Sequence, residues 1–278
     1  MKKNIVLYHA GCPDGFGSAW AFYQRYGEDA DYIPVSHGQS PPSVAGKNVF
    51  IVDFSYSKSI LEKMKEEADS IVVLDHHKTA EESLSELDFC HFDMNHSGAY
   101  LSWVYLFGDS NVPLLIQYIE DRDLWRWKLT ASEEILSSLD SYEFSFEKWN
   151  WINSKLNVED SDSWRAIRDE GVAILRYKRA LVRSIKRKSH KMTIGDDEIF
   201  AVNTPFLQSE IASELSVGEK YAAAYYFDGK KTVFSLRSTK TGSDVSDIAK
   251  LYGGGGHRSA SGFAVSGRVR PSWLPSFK

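Results

Sequence analysis

The stretch from Ile71 to Lys78 constrains this chain most, because four apolar residues are followed at once by an acid, two histidines and a lysine. A short apolar run rich in β-branched residues predicts a strand buried on both faces. Asp75, His76 and His77 then lie at the carboxyl end of that strand, the edge at which open α/β sheets bind ligands. By themselves, these three residues fit either a metal and substrate site or a hydrogen-bonded loop.

Two earlier segments repeat this layout. A strand is predicted over residues 5–8 and ends at His9, before a tight turn that contains Asp14. Another strand is predicted over residues 49–52 and ends at Asp53. Each is followed by a helical pattern, so strand, polar residue and helix recur three times. This order predicts right-handed crossovers and a parallel sheet whose polar strand ends gather along one edge.

The remaining sequence divides the chain into three predicted parts. Residues 1–127 contain the repeated strand and helix units and form an α/β domain with a parallel sheet. Residues 128–191 read as a helical connector, with a long amphipathic helix over residues 163–189. Residues 192–278 read as a smaller α/β domain with a mixed sheet, in which Asp228-Gly229 makes a hairpin turn.

Composition limits the classes of protein that this chain can join. With 278 residues it can bury a full core, and its net charge of -5 means that a nucleic-acid partner needs a local basic patch. Only two cysteines are present, too few for a disulfide framework. No apolar run approaches the roughly 20 residues of a membrane span. Because Met1-Lys2-Lys3 leads directly into the first strand, we expect an unprocessed, cytoplasmic protein without a membrane partner.

Six polar residues are predicted to meet at the sheet edge: His9, Asp14, Asp53, His76, His77 and Asp121, the last from an acid-rich segment after residues 114–120. Carboxylates together with imidazoles suit Mn²⁺ or a similar ion better than Ca²⁺ or a structural Zn²⁺. Two such ions about 3.5 to 4 Å apart can share one carboxylate and activate a bridging water. Asp53 is the predicted shared ligand.

A second candidate site lies near the C-terminus. Four consecutive glycines, residues 253–256, precede His257 and Arg258. Such a run costs about 1 kcal/mol for each glycine in regular structure, which favours a backbone that closely approaches a ligand. Exposed N–H groups beside a histidine and an arginine predict a phosphate site. A flexible linker is the alternative interpretation.

These motifs resemble the DHH phosphoesterase superfamily, with its DHH-associated C-terminal domain, in proteins of the oligoribonuclease and exonuclease type. His9 with Asp14-Gly15 resembles the first motif, Asp53 the second, and Asp75-His76-His77 the third. The fourth motif is matched by Asp121-Arg122-Asp123. The C-terminal domain is matched by Ser235-Leu236-Arg237-Ser238, by the glycine run with His257, and by Ala260-Ser261-Gly262-Phe263.

The resemblance implies a phosphoric ester hydrolase that uses two Mn²⁺ ions, with Mg²⁺, Co²⁺, Zn²⁺ and Fe²⁺ as other candidates. It implies that one ion is held by Asp14, Asp53, His76 and Asp121, and that His9 and Asp53 take part in holding the other. His77 would face the substrate phosphate and act with Asp53 in catalysis. Substrate phosphate would be bound by Arg237, Gly254, Gly255, Gly256, His257 and Arg258.

Cys12 departs from the pattern, because many members of the superfamily have an acid at this position. A thiolate is a softer ligand than a carboxylate, so Cys12 is either a metal ligand with a different preference or a small packed residue. Trp125 and Trp127 follow the fourth motif and are interpreted as packing residues, with base stacking as the alternative.

Three functions remain open at this stage. The first is a phosphodiesterase that cleaves short oligonucleotides, single-stranded ends or cyclic dinucleotides to nucleoside monophosphates. The second is hydrolysis of pyrophosphate, polyphosphate or a small phosphorylated nucleotide. The third is a nucleotide-binding module that has lost turnover through the change at Cys12. The expected partner is a short nucleic acid or a nucleotide.

Overall fold

A computed structural model describes residues 2–36 and 38–269 of the protein. The chain divides into two compact units, and the boundary between Leu175 and Arg176 falls within a long helix. The sequence-based boundaries at residues 127 and 191 stay predictions.

The first unit begins with alternating strands and helices and ends with helices. Its elements are β1 (Asn4–His9), α1 (Pro13–Tyr26), β2 (Ala30–Val35), β3 (Asn48–Val52), α2 (Lys58–Glu67), β4 (Ser70–Asp75), α3 (Lys78–Leu84), β5 (Cys90–Phe92), α4 (Gly98–Phe107), α5 (Leu114–Asp123), α6 (Ser132–Leu139), α7 (Phe146–Leu156) and the start of α8 (Asp162–Lys186). The second unit contains the end of α8, then β6 (His190–Ile194), β7 (Asp197–Asn203), α9 (Gln208–Leu215), β8 (Ala222–Phe227), β9 (Lys231–Arg237), α10 (Val245–Leu251), β10 (Gly255–His257) and β11 (Ala260–Ser266).

Among the described residues of the first unit, the sheet has five strands in the order β2-β1-β3-β4-β5, and every pair is parallel. The predicted α/β fold with a parallel N-terminal sheet is therefore confirmed. The two outer strands were missed by sequence reasoning. Strand β2 contains Pro34 and is partly exposed, and β5 has only three residues, so neither gives a strong apolar pattern.

The central strands are covered on both faces. In β3, Val49, Phe50, Ile51 and Val52 are all buried, as expected for a parallel strand between two layers. Leu7, Ile51 and Val73 pack into one apolar cluster on one face of the sheet. Helices α1, α5, α7 and α8 contribute to an aromatic core in which Trp20, Trp149 and Trp164 are fully buried.

In the part of the second unit that the structure describes, up to residue 269, a mixed sheet has six strands in the order β10-β11-β9-β8-β7-β6. Strands β7 and β8 pair in parallel, and the other neighbours in this order are antiparallel, which confirms the predicted mixed sheet. The hairpin turn predicted at Asp228-Gly229 joins β8 to β9, and Gly229 has a φ of 104°.

The structure gives the glycine run a packing role. Gly255 and Gly256 lie in β10 and pair with Gly262 and Ser261 of β11. A Cβ atom at Gly254 would lie 2.1 Å from the carbonyl oxygen of Gly262. The run is therefore an ordered part of the sheet and not a flexible linker. Close packing of this hairpin requires glycine here, so the run by itself does not indicate a ligand.

Helix α8 has 25 residues and is amphipathic, with Trp164, Ile167, Leu175 and Val182 buried along it. Across the described residues, 2–36 and 38–269, no helix combines the length and apolar character needed to cross a membrane.

We predict that Gly171→Ala destabilises the protein, although alanine favours a helix by about 1 kcal/mol relative to glycine. A Cβ atom at Gly171 would lie 1.7 Å from the carbonyl oxygen of Glu134, so α8 would have to move away from α6. The free energy of unfolding in urea should fall by about 1 to 3 kcal/mol. The control is Val172→Ala at the exposed neighbouring position, which should leave stability unchanged or slightly raised. A stabilised Gly171→Ala variant would contradict this packing.

Candidate metal centre

Sheet register brings three polar strand ends to one level. Tyr8 pairs with Val52, and Val52 pairs with Leu74, so the next residues of the three strands are His9, Asp53 and Asp75. Neighbouring strands lie about 4.8 Å apart, which places these residues side by side along the carboxyl edge. Their proximity therefore follows from β1, β3 and β4 being adjacent, parallel and in register.

Asp14 reaches the same edge from the first turn of α1. It is 3% exposed, and its Oδ2 lies 3.5 Å from Nε2 of His76. Gly15 allows this approach, because a Cβ atom there would lie 2.1 Å from the carbonyl oxygen of His9. The Asp14-Gly15 pair thus joins an acid to the one residue type that lets α1 begin directly beside β1.

The N-terminus of α4 holds Asp14 in place. The backbone N–H groups of Gly98 and Ala99 donate to its Oδ2 and Oδ1, at 2.7 and 3.0 Å. A Cβ atom at Gly98 would lie 2.6 Å from Cβ of Asp53 and 3.0 Å from Oδ2 of Asp14. Gly98 is therefore part of the site, and sequence reasoning missed it. The available signal was its position as the first residue of α4, directly after the capping residue Ser97.

Asp53 lies at the centre of the site and is 2% exposed. Its Oδ1 is 3.2 Å from Nε2 of His76, whereas its Oδ2 is 3.4 Å from Nδ1 of His9 and 3.3 Å from Sγ of Cys12. Its φ is 59°, a left-handed conformation that is uncommon for residues other than glycine. The chain thus turns sharply at the end of β3, and one carboxylate faces two groups of side chains.

The charges of Asp53 and His76 are coupled. Burial by itself would raise the pKa of Asp53, but hydrogen bonds from His76 and His9 outweigh it and lower this pKa well below its ordinary value. Burial would lower the pKa of His76, but Asp123, Asp53 and Asp14 outweigh it and raise this pKa. Both shifts favour an ionised Asp53 beside a protonated His76.

Asp75 positions the two histidines that follow it and is fully buried. Its Oδ1 accepts hydrogen bonds from Nδ1 of His77 and from the backbone N–H of His76, both at 2.7 Å, and its Oδ2 accepts from Ser55 Oγ at 2.6 Å. Burial favours the neutral carboxyl, but the charge of His77 and its hydrogen bond outweigh burial and lower the pKa of Asp75 to about 2. An ionised Asp75 therefore fixes the ring of His77.

The ligand expected from the fourth motif needs a correction. Asp121 is buried, but its carboxylate accepts hydrogen bonds from the backbone N–H groups of Lys128 and Leu129, at 2.9 to 3.2 Å. Oδ2 of Asp123 instead lies 3.5 Å from Nε2 of His76. Residues two apart on a helix point about 200° away from each other, so α5 can direct only one of these acids to the site. We assign this position to Asp123.

The donor set fits a divalent cation. Ligand atoms of Asp14, His76 and Asp123 lie within 4.8 Å of one another, and so do those of His9, Cys12 and Asp53. Three carboxyl groups thus surround the imidazole of His76, and two of them, Asp14 and Asp53, are nearly fully buried. Burial and the charge of Asp53 raise the pKa of Asp14 well above its ordinary value. A divalent cation would balance this charge.

Cys12 joins the second of these groups from the N-cap position of α1. Its Sγ accepts a hydrogen bond from the N–H of Gly15 at 3.2 Å and lies 3.4 Å from Nδ1 of His9. Burial, followed by the charges of Asp53 and Asp14, raises the pKa of the thiol well above its ordinary value. Cys12 is therefore a neutral capping thiol in the absence of a cation.

The substrate residues expected near the C-terminus belong to the second unit. Arg237 ends β9, and its guanidinium donates to Oγ of Ser209 and Oγ of Ser235. Arg258 is exposed and donates to the carbonyl oxygen of Gly242. His257 ends β10, and its carbonyl oxygen accepts from Oγ of Ser261. Their proposed contact with substrate stays a prediction.

Solved structures define the class of fold. A DHH domain from a member of the s1p family of ribosomal proteins aligns with a TM-score of 0.56, at 14% identity, over 95% of this chain and 83% of that chain. RecJ of Thermus thermophilus, solved in complex with Mn²⁺, aligns with a TM-score of 0.51, at 14% identity, over 95% of this chain and 49% of that chain. An exopolyphosphatase-related protein from Bacteroides fragilis aligns with a TM-score of 0.50, at 15% identity, over 96% of this chain and 88% of that chain. The chain has the DHH phosphoesterase superfamily fold.

Sequence comparison then shows the family. The chain is 34% identical over 293 residues to uncharacterized protein R106 of Acanthamoeba polyphaga mimivirus, a match that covers 96% of this chain and 68% of the viral protein. The chain belongs to the same family as that protein. Models of known protein families give no match.

We predict that Gly98→Ala weakens metal binding by about tenfold or more, a typical loss when a group supporting the ligands is displaced. The added methyl group would push Asp53 and Asp14 apart. Isothermal titration with Mn²⁺ measures the effect. The control is Ser97→Ala, which removes the cap of α4 without crowding either carboxylate. This change should lower the free energy of unfolding by about 1 kcal/mol. Wild-type Mn²⁺ affinity in Gly98→Ala would contradict the proposed cluster.

Proposed function

We propose that the protein is a metal-dependent phosphodiesterase that hydrolyses short oligonucleotides, single-stranded nucleic acid ends or cyclic dinucleotides to nucleoside monophosphates. The observation that carries this proposal is the geometry of Asp53, whose two carboxylate oxygens face two separate groups of donor atoms. A carboxylate in this position can be shared by two cations. Support also comes from the fold, which is shared with a Mn²⁺ complex of RecJ.

The chain offers ligands for two ions. Asp14, Asp53, His76 and Asp123 would hold one, and His9 and Asp53, with Cys12 as a third donor, would hold the other. Two bound Mn²⁺ ions would supply an activated water and neutralise charge on the phosphoryl oxygens. The protein's own contribution is to hold these acids and imidazoles at one edge in a buried setting, so that little reorganisation is needed when the ions bind.

His77 is the proposed residue that contacts the substrate phosphate. Its Nδ1 lies 2.7 Å from Oδ1 of Asp75, so the ring is held in one orientation at the edge of the metal cluster. Burial would lower the pKa of His77, but the charge of Asp75 and its hydrogen bond outweigh burial and raise this pKa. A protonated imidazole can donate to a phosphate oxygen on which charge develops. Arg237, His257, Arg258 and the glycine N–H groups are proposed to bind a further substrate phosphate.

We predict that Asp53→Asn reduces kcat/KM at least a hundredfold while the protein stays folded. Asparagine tolerates the left-handed backbone that Asp53 adopts, so the substitution changes charge with little backbone strain. Hydrolysis is measured with Mn²⁺ and a panel of labelled dinucleotides, a longer single strand, cyclic dinucleotides and pyrophosphate. The control is Asp88→Asn, at an exposed acid outside the two groups of donor atoms described above.

The same panel separates the three candidate functions. Cleavage of dinucleotides supports the proposal, whereas hydrolysis of pyrophosphate alone would replace it with a pyrophosphatase or polyphosphatase activity. Binding of nucleotides with no product in Mn²⁺, Mg²⁺, Co²⁺, Zn²⁺ or Fe²⁺ would show a binding module. Full activity of Asp53→Asn would contradict the proposal that two cations share the Asp53 carboxylate.

We predict that Cys12→Asp raises the affinity for Mn²⁺, since a carboxylate is a harder ligand than a thiol and can also cap α1. The effect should be largest for the weaker of two binding steps in a Mn²⁺ titration. Cys12→Ser is the control, because it retains a small side chain that can cap the helix without adding a charge. Equal Mn²⁺ affinities for the wild type and Cys12→Asp would show that the side chain at position 12 is not within ligand distance of a bound Mn²⁺ ion.

A further inference from the structure

Hydrogen bonds to residues of α5 hold the segment that follows Asp123. The N–H of Trp125 donates to the carbonyl oxygen of Arg122, and the N–H of Arg126 donates to that of Asp121, both at 2.8 Å. The Asp121 carboxylate accepts from the N–H of Lys128, which closes the segment on its other side. Asp121, which does not face the metal cluster, thus has a structural role in shaping this turn.

Glu120 adds a second set of restraints. It is 7% exposed and accepts hydrogen bonds from Nη1 of Arg126 at 2.7 Å and from the N–H of Ser97 at 3.2 Å. Arg126 also donates to the carbonyl oxygen of Asn95. The turn after α5 is therefore tied to the segment that leads into α4, whose first N–H groups hold Asp14.

The restrained turn holds two tryptophans in a conformation that large side chains rarely adopt. Trp125 has a φ of 53° and Trp127 a φ of 51°. Backbone of this kind persists only where the surroundings impose it, and it concentrates at functional sites. The two rings make an edge contact, with centroids 5.1 Å apart. Trp127 packs against the aromatic core, whereas Trp125 is 45% exposed.

The exposed indole lies beside the metal cluster in the chain. Trp125 is two residues from Asp123, so the two Cα atoms are at most about 7 Å apart. The carboxylate of Asp123 is itself within 3.5 Å of His76. A nucleoside attached to a phosphate at this cluster would thus have a large, exposed aromatic side chain nearby in the chain.

We propose that Trp125 is a stacking subsite for the nucleobase next to the scissile phosphate. This inference rests on the proposed function and narrows its substrate class to phosphodiesters that carry a base. Stacking on an aromatic side chain tolerates every base, so the subsite would confer a preference for nucleotides over inorganic polyphosphate without selecting a sequence.

The test measures stacking apart from hydrolysis. A 5′-phosphorylated dinucleotide that contains 2-aminopurine is mixed with the Mn²⁺-loaded protein, and quenching of its emission is followed before product forms. The wild type should quench, and Trp125→Ala should lose most of the quenching. Trp151→Ala is the matched control, because Trp151 is 41% exposed on α7 but has Lys148 and Lys155 over its ring, at 5.0 and 5.6 Å.

Steady-state kinetics provide the second arm. Trp125→Ala should raise KM for the dinucleotide about tenfold or more, whereas a dinucleotide of the same length with an abasic residue should be cleaved equally by both proteins. An equal loss on both substrates would show a structural role for the segment and overturn the subsite. Quenching by Trp125→Ala at the wild-type level would overturn it as well.

The two proposals fail in different ways. If the wild type quenches 2-aminopurine through Trp125 but cleaves no dinucleotide, the subsite stands and the phosphodiesterase proposal fails. If the wild type cleaves both dinucleotides with the same KM, the phosphodiesterase proposal stands and the subsite fails.

Discussion

The main constraint on this structure is the free-energy cost of burying several acidic side chains close together. Asp14 and Asp53 are nearly fully buried, and with Asp123 they surround the single imidazole of His76. Carboxylates in such a setting repel one another and lose hydration, so the fold must compensate them. It does so with the N–H groups at the start of α4, with imidazoles and, in the proposed function, with divalent cations.

The backbone is arranged around this cluster. Three adjacent parallel strands end at the same level, and the left-handed turn at Asp53 directs its carboxylate between the other ligands. Gly15 and Gly98 let α1 and α4 approach to distances that any side chain would prevent. The same close packing continues after α5, where Asp121 and Glu120 fix the turn that exposes Trp125.

Sequence reasoning recovered the sheet edge, because strand and helix periodicity together predict which polar residues follow which strands. The expected meeting of His9 and Asp53 with His76 and His77 needed only strand adjacency, which the parallel topology supplies. Choosing between Asp121 and Asp123 failed, because it depends on which face of a helix meets the sheet edge. Gly98 was missed since its role comes from contacts with residues far away in the sequence. Hairpin packing accounts for the glycine run, and its expected contact with a substrate phosphate stays a prediction.

The central claim is that Asp14, Asp53, His76 and Asp123 share one metal position. Anomalous diffraction at the manganese edge, from crystals of the protein grown with Mn²⁺, tests it most directly. The account predicts a peak within coordination distance of all four side chains. A peak beside Asp121, or the absence of any peak near His76 in Mn²⁺-saturated crystals, would contradict it.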